Sequence, residues 1–330
     1  MDKPEADQAL VGDNPTSTDN EESGSTEADA RTGVLTTLSA AQNAASRSRE
    51  RNQETIFQFP GFLESLSRDD TARLLYYNMN HPKRGMALIF NHENFDYQTG
   101  MNKRVGTHHD VNNLKHHLAR LGFEVLIFQD ISAYEIRRQL MNAAKTNHTD
   151  SDCFMCVFLT HGDDGIIYGR DQTLELQELF DFFRGENCPT LVGKPKLFLI
   201  QACRGEKHEI GVRGFDAVDS AEEESMTVTD SGARPTVPAA ADMLLSYSVV
   251  QGYYSHRDTA YGSWYVQALA KILSLHGTTM EITEILTLLN QLISQRAVER
   301  CLDSRMIGKK QMPCFMSMLT KKLIFTPKKL

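Results

Sequence analysis

The sequence predicts an α/β fold, a mostly parallel sheet with helices on both faces. Three observations point to it. Short apolar runs rich in β-branched and aromatic residues recur from Met86 to the C-terminus, and they are continuous rather than alternating, as strands buried on both faces require. The segments between them are amphipathic, with helix-capping residues at their starts. At 330 residues and 41% hydrophobic side chains, the chain can also bury a sizeable core.

Taken in order, MALIFNH (86–92) is the first predicted strand. Asp110 is a candidate cap for a helix presenting Val111, Leu114, Leu118 and Leu121 on one face and ending at Gly122. EVLIFQD (124–130) follows as a strand. Ser132 and Glu135 then form a capping box, stapled by Ile131 and Ile136, with Leu140 and Ala144 continuing the apolar face. CFMCVFLTH (153–161), KLFLIQA (196–202) and MLLSYSVV (243–250) are further buried strands. Thr278 and Glu281 offer a second box before Ile282, Ile285, Leu286, Leu289 and Ile293. The last apolar run, CFMSMLTKKLIF (314–325), has no helix after it to cover it, which predicts a sheet edge that pairs with a second copy.

The first 50 or so residues have almost no aromatics and many Ser, Thr, Asp, Glu, Asn and Ala, a composition that predicts a disordered leader. Residues 1–35 carry nine acidic side chains against Lys3 and Arg31, so most of the net charge of -8 sits there. No basic footprint for nucleic acid is present. The start has no signal-like apolar segment and no window of ~18 apolar residues occurs, so the chain reads as cytoplasmic, without a membrane anchor. Six cysteines without a secretory signal predict reduced thiols. Cys153 and Cys156 form a C-x-x-C inside a predicted strand, where an odd separation points the sulfurs to opposite faces and argues against a zinc or redox site. The pairs His108, His109 and His116, His117 read as a solvated helix face.

One stretch, KLFLIQACRG (196–205), carries the chemistry. Ligands of open α/β sheets bind outside the carboxyl ends of the strands, and both Cys203 and His161 directly follow predicted strands. A free thiol is mostly protonated at neutral pH, so a nucleophilic cysteine needs a base such as this histidine. Gly162 lets a backbone N–H approach a reacting carbonyl and, with the N–H of Cys203, forms a candidate oxyanion hole. Residues 204–241 interrupt the fold with a polar, acidic insert too long for an ordinary loop.

QACRG (201–205), THGDDG (160–165), RGMALIFNHENFD (84–96), NKRVGTHHDVNNL (102–114), SYSVVQGYYSHRDTAYGSW (246–264) and QMPCFMSMLTKKL (311–323) together resemble the caspase family, most closely its insect executioner type. The resemblance covers about Tyr76 to the C-terminus. It implies a caspase-like single domain with a six-stranded sheet, mostly parallel with one antiparallel edge strand, and no cofactor or metal. It implies Cys203 as nucleophile, His161 as general base and acid, Gly162 and Cys203 as oxyanion donors, and Arg104, Gln201 and Arg257 as the pocket for an aspartate side chain. Two guanidiniums converging on one pocket select a carboxylate through fork-like, charge-assisted hydrogen bonds. Tyr254, Ser255, His256 and Trp264 are implied for the outer substrate sites, with the 255–257 segment pairing with substrate backbone. His256 stands where tryptophan is usual in the executioners and Asp258 where asparagine is usual, while Arg300 and Met306 fall where aromatics are usual, so the preference four residues before the cut is open.

The resemblance further implies a zymogen: an acidic prodomain (1–29), a large-subunit region (30–230), a small-subunit region (231–330) and a cleavable linker within 206–241. Candidate cleavage positions are Asp29, Asp219 and Asp230, and a cut at Asp29 would expose Ala30 to inhibitor-of-apoptosis domains. The implied partners are protein substrates cut after Asp during apoptosis, an upstream initiator caspase, those inhibitors, and a second copy in a homodimer. Competing readings are a Cys-His protease of the same fold that cuts after basic residues, and an inactive relative that binds other caspases or inhibitors.

Overall fold

The computed structural model describes residues 74–205, 207–209, 238–299 and 304–328. The predicted leader, the candidate cleavage positions Asp29, Asp219 and Asp230, and most of the polar insert lie outside them. Six strands form the main sheet: β1 (Met86–Asn91), β2 (Glu124–Gln129), β3 (Phe154–Leu159), β7 (Lys196–Gln201), β8 (Met243–Tyr247) and β11 (Cys314–Ser317). Their order is β11-β8-β7-β3-β1-β2. All neighbours run parallel except β11, which pairs antiparallel with β8 at one edge. Three short strands, β4 (Gly162–Asp163), β5 (Ile166–Tyr168) and β6 (Thr173–Glu175), form a small sheet after β3, and β9 (Arg257–Asp258) and β10 (Gly262–Ser263) form a hairpin.

Continuous apolar strands dictate a sheet covered on both sides, and the packing follows that pattern. Along β1, Ala87 and Ile89 enter one core while Leu88 and Phe90 enter the other. The first core is closed by α1 (Thr107–Arg120), α4 (Trp264–His276) and α5 (Ile282–Ser294). The second is closed by α2 (Ala133–Lys145) and α3 (Leu176–Asp181). Cys153 belongs to the first and Cys156 to the second, so the C-x-x-C sulfurs do lie on opposite sides of the sheet.

Three local expectations are corrected. Asp110 does not cap α1: the helix starts at Thr107 after Gly106 in a left-handed conformation, and buried Asp110 instead accepts a hydrogen bond from the Ser263 N–H at 2.8 Å. The cap of α5 is Glu281 rather than Thr278, forming a reciprocal box with Glu284. The C-terminal run is not one long strand, because only Cys314–Ser317 pairs with β8, while Leu323 and Phe325 turn into the first core. Ser132 caps α2 as expected, accepting from the Glu135 N–H, whereas the Glu135 carboxylate is taken by Arg138 and Gln139.

The chain near both ends of the described body is tied down by a buried ionic cluster. Arg84 and Asp152 are fully buried and 2.7 Å apart, and Lys328 reaches the same carboxylate at 2.5 Å. Arg84 also donates to the carbonyls of Leu121 and Thr326. Removing one member of a buried pair leaves an uncompensated charge, which typically costs ~3–5 kcal/mol. Asp152→Ala is therefore expected to lower unfolding stability by about that amount in urea titration; an unchanged midpoint and slope would show that the cluster carries no such weight.

Candidate active site

The register of two neighbouring strands builds the centre of the site. β3 and β7 run parallel with Leu159 opposite Gln201, and the Thr160 N–H continues the ladder to the Gln201 carbonyl. Each chain then extends two residues beyond that last pair, to His161 and Cys203. Adjacent strands lie ~4.8 Å apart, so a 42-residue sequence separation becomes one strand spacing at the sheet rim. Gly162 seals the approach: a Cβ there would stand 2.9 Å from the Ala202 Cβ and 3.0 Å from the Cys203 carbonyl oxygen. Any side chain at this position would wedge the two strand ends apart.

His161 is held from behind. Its Nε2–H donates to the Asn102 carbonyl at 2.7 Å, and its ring packs against Phe95 at 4.9 Å. This bond fixes the tautomer and leaves Nδ1 as the basic nitrogen. Burial, assisted by the positive charges of Arg104 and Arg257, lowers its pKa to about 4. Burial also raises the pKa of the Cys203 thiol, with the same two arginines opposing it in part. At neutral pH the site thus holds a protonated thiol and a neutral imidazole. The Cys203 Sγ lies 4.0 Å from the Ser255 carbonyl, which brings the 255–257 segment against the thiol.

A cationic pocket adjoins this pair. Arg104 is only 1% exposed. Its Nη1 donates to the His92 carbonyl at 2.8 Å and to the Thr107 hydroxyl at 3.1 Å, whereas its buried Nη2 has no hydrogen-bond partner. Burial, with the Arg257 charge, pushes its pKa down to about 9, so the guanidinium stays charged at neutral pH. Arg257 reaches the same region from the β9–β10 hairpin, its Nε donating to the Val105 carbonyl at 3.1 Å. Close backbone approach makes this junction possible: Gly106, at φ 89°, faces Thr259, where a Cβ would fall 2.6 Å from its carbonyl oxygen. Asp110 binds the Ser263 N–H at the other end of the hairpin.

Gln201, the last residue of β7, donates from Nε2 to the Ser255 hydroxyl at 2.8 Å, and its buried Oε1 has no partner. A serine hydroxyl both donates and accepts, so the amide holds Ser255 equally well when turned over, and then presents its NH₂ instead. Arg104 and Arg257 act on Cys203 through their charges, and Gln201 holds the Ser255 whose carbonyl faces the thiol, so buried donors gather around Cys203. Such a region favours an anionic, planar acceptor.

The outer predicted residues form a separate aromatic group. His256 packs on Trp264 at 4.9 Å, its N–H donates to the Gln311 side chain at 2.6 Å, and its Nε2–H donates to the Lys310 carbonyl at 3.1 Å. The far side of this group is formed by Arg296, whose guanidinium lies 4.6 Å from the Trp264 ring centre. Tyr254 stacks on His208 at 4.5 Å. Of the two further departures noted in the sequence, Met306 lies in a short 3₁₀ turn, Ser304–Met306, and Arg300 lies outside the described residues. Sequence reasoning missed Asn102, Phe95, His208 and Arg296. The Asn102 contact is made by a backbone carbonyl, so no residue type could have signalled it.

Comparison with known proteins agrees with this geometry. The caspase-domain family model matches residues 84–324. Caspase-6 of Gallus gallus is 49% identical over 254 residues, covering 76% of this chain and 84% of its own. Caspase-6 of Mus musculus is 47% identical, covering 81% and 97%. The crystal structure of caspase-1 from Spodoptera frugiperda superposes with a TM-score of 0.70 at 38% identity, covering 80% of this chain and 96% of that one. Identity to the vertebrate caspase-6 chains thus exceeds the 40% found with the insect caspase-1 sequence. With a family match over most of its length, and a sheet rim that joins a cysteine to a histidine, the chain belongs to the caspase family of cysteine proteases.

Proposed function

We propose that this caspase-family hydrolase cuts polypeptides after aspartate, with Cys203 as nucleophile and His161 as general base and then acid. The observation that carries the specificity is Arg104: a charged, buried guanidinium with an unpartnered Nη2, near enough to Arg257 and Cys203 for their charges to interact. A substrate aspartate carboxylate supplies the missing acceptor, and with the Gln201 amide turned its NH₂ adds a third donor. A lysine or arginine side chain would meet like charge, which argues against the rival basic-specific reading.

In the reaction so read, His161 Nδ1 takes the thiol proton as sulfur attacks the substrate carbonyl and the C–S bond forms. The N–H groups of Gly162 and Cys203 receive the developing oxyanion, a contribution of ~3 kcal/mol per donor. The C–N bond then breaks with His161 returning its proton to the leaving amine, and water hydrolyses the thioester by the same steps in reverse. The Asn102 carbonyl accepts from Nε2–H throughout and stabilises the imidazolium that forms.

The reading extends to a zymogen cut after Asp219 or Asp230 between a large region (30–230) and a small one (231–330), with a further cut at Asp29, by an upstream initiator caspase. It also includes cutting of protein substrates in an executioner role in apoptosis, capture of Ala30 by inhibitor-of-apoptosis proteins, and a cytoplasmic location. The five described cysteines are all free, as a reducing compartment favours. A homodimer through β11 is supported by its place at the sheet edge and by exposed Met316 on it. That Cys203 and His161 each follow a strand of the main sheet at one rim supports the active reading over the inactive relative.

In peptide hydrolysis by the linker-cleaved protein, substrates ending in Asp are expected to exceed those ending in Asn, Lys or Arg in kcat/KM by ~10³–10⁴. Cys203→Ala should abolish turnover; equal rates on Asn and Asp peptides would overturn the pocket assignment. The pH dependence follows from the shifts of the pair. Because the thiol is raised above its ordinary 9.0 and His161 stays neutral down to about 4, no thiolate–imidazolium pair exists at rest. Iodoacetamide should therefore modify Cys203 at a rate that keeps climbing up to and beyond pH 9. A plateau already reached near neutral pH would contradict the neutral pair.

A further inference from the structure

We infer that Asp130 is a positioning residue for substrate specificity, gripping the backbone that holds Arg104 in place. This rests on the functional reading above, in which Arg104 receives the substrate carboxylate.

Asp130 directly follows β2, at the same end of the sheet as β3 and β7 deliver His161 and Cys203. It is one of two non-glycine residues with positive φ among the described residues, at 50°. Left-handed backbone at a residue with a side chain costs energy and persists when other contacts demand it. Those contacts are explicit. Oδ1 accepts the Glu93 N–H at 2.6 Å and the Asn94 N–H at 3.1 Å, and Oδ2 accepts the Asn94 side-chain amide at 2.8 Å. The Asp130 N–H donates back to the Asn91 carbonyl at the end of β1 at 2.9 Å.

The backbone so gripped is the one that carries Arg104. The Arg104 N–H donates to the Glu93 carbonyl at 2.9 Å, and its Nη1 donates to the His92 carbonyl. The Glu93 N–H bound by Asp130 belongs to the same peptide unit as that His92 carbonyl. A peptide unit is planar and rigid, so fixing its N–H fixes the direction of its oxygen. Asp130 thereby aims the acceptor that orients the guanidinium. Its negative charge also favours the charged form of Arg104. Burial, the largest influence on the Asp130 carboxyl, raises its pKa, but the Asn94 and Glu93 donors outweigh it and the net shift is downward, so the carboxylate stays ionised at neutral pH.

The test uses Asp130→Gly, which keeps the positive φ without a side chain, and Asp130→Asn, which tolerates that φ and keeps one oxygen able to accept both N–H groups. Kinetics on Asp and Asn peptides, with melting temperature, are measured for both variants and the wild type. Asp130→Gly should raise KM for the Asp peptide roughly ten- to a hundredfold with little change in kcat, narrowing the preference for Asp over Asn. Asp130→Asn should recover most of that loss. An Asp130→Gly protein that keeps wild-type KM and selectivity would overturn the inference. So would one in which kcat and melting temperature fall together while the Asp-to-Asn ratio is unchanged. If the wild type itself shows no preference for Asp, the functional reading fails first, which separates the two failures.

Discussion

The site depends on an arginine buried without a complete set of acceptors. Taking a charged group out of water costs several kcal/mol unless its hydrogen bonds are replaced. Arg104 recovers part of this through the His92 carbonyl and Thr107 hydroxyl, yet its Nη2 is left with no partner. The guanidinium sits between the end of β1 and the start of α1, and Arg257 is brought to it by a hairpin whose approach requires Gly106. An incomplete shell of this kind discriminates, because a ligand without a matching acceptor leaves the buried donor unpaired.

The same two arginines influence the reacting pair. They lower the pKa of His161 in concert with burial and oppose the upward shift that burial gives the Cys203 thiol. On the proposed reading, specificity and reactivity are thereby coupled through one local field. On that reading, a carboxylate bound there would neutralise part of that field, raising the basicity of the imidazole and of the thiolate alike. The parallel register of β3 and β7 brings both effects to one rim, since His161 and Cys203 each follow the last paired residues, Leu159 and Gln201, by two positions.

Much of this was legible in the sequence, for reasons that differ by element. Short continuous apolar runs rich in aromatic and β-branched residues, such as FMCVFL and KLFLIQ, suit strands covered on both faces, and both became fully buried strands. The positions of Cys203 and His161 after those runs placed them on one rim. What failed was local punctuation. Asp110 looked like a cap because a short acid before an apolar periodicity usually is one, but its carboxylate serves the Ser263 N–H far along the chain. Thr278 lost to Glu281, whose carboxylate sits one residue before the first buried position of α5. Contacts made by backbone atoms, such as the Asn102 carbonyl on His161, leave no trace in residue type. Tertiary pairs such as Arg296 over Trp264 have no fixed spacing to read.

The central claim is that the cationic pocket beside Cys203 selects a carboxylate at the cut. The most direct measurement digests a peptide mixture prepared from a whole proteome with the linker-cleaved protein, and sequences the newly formed C-termini by mass spectrometry. New C-termini ending overwhelmingly in Asp, and absent with Cys203→Ala, are what the account predicts. New termini ending in Lys, Arg or Asn as often as in Asp would contradict it.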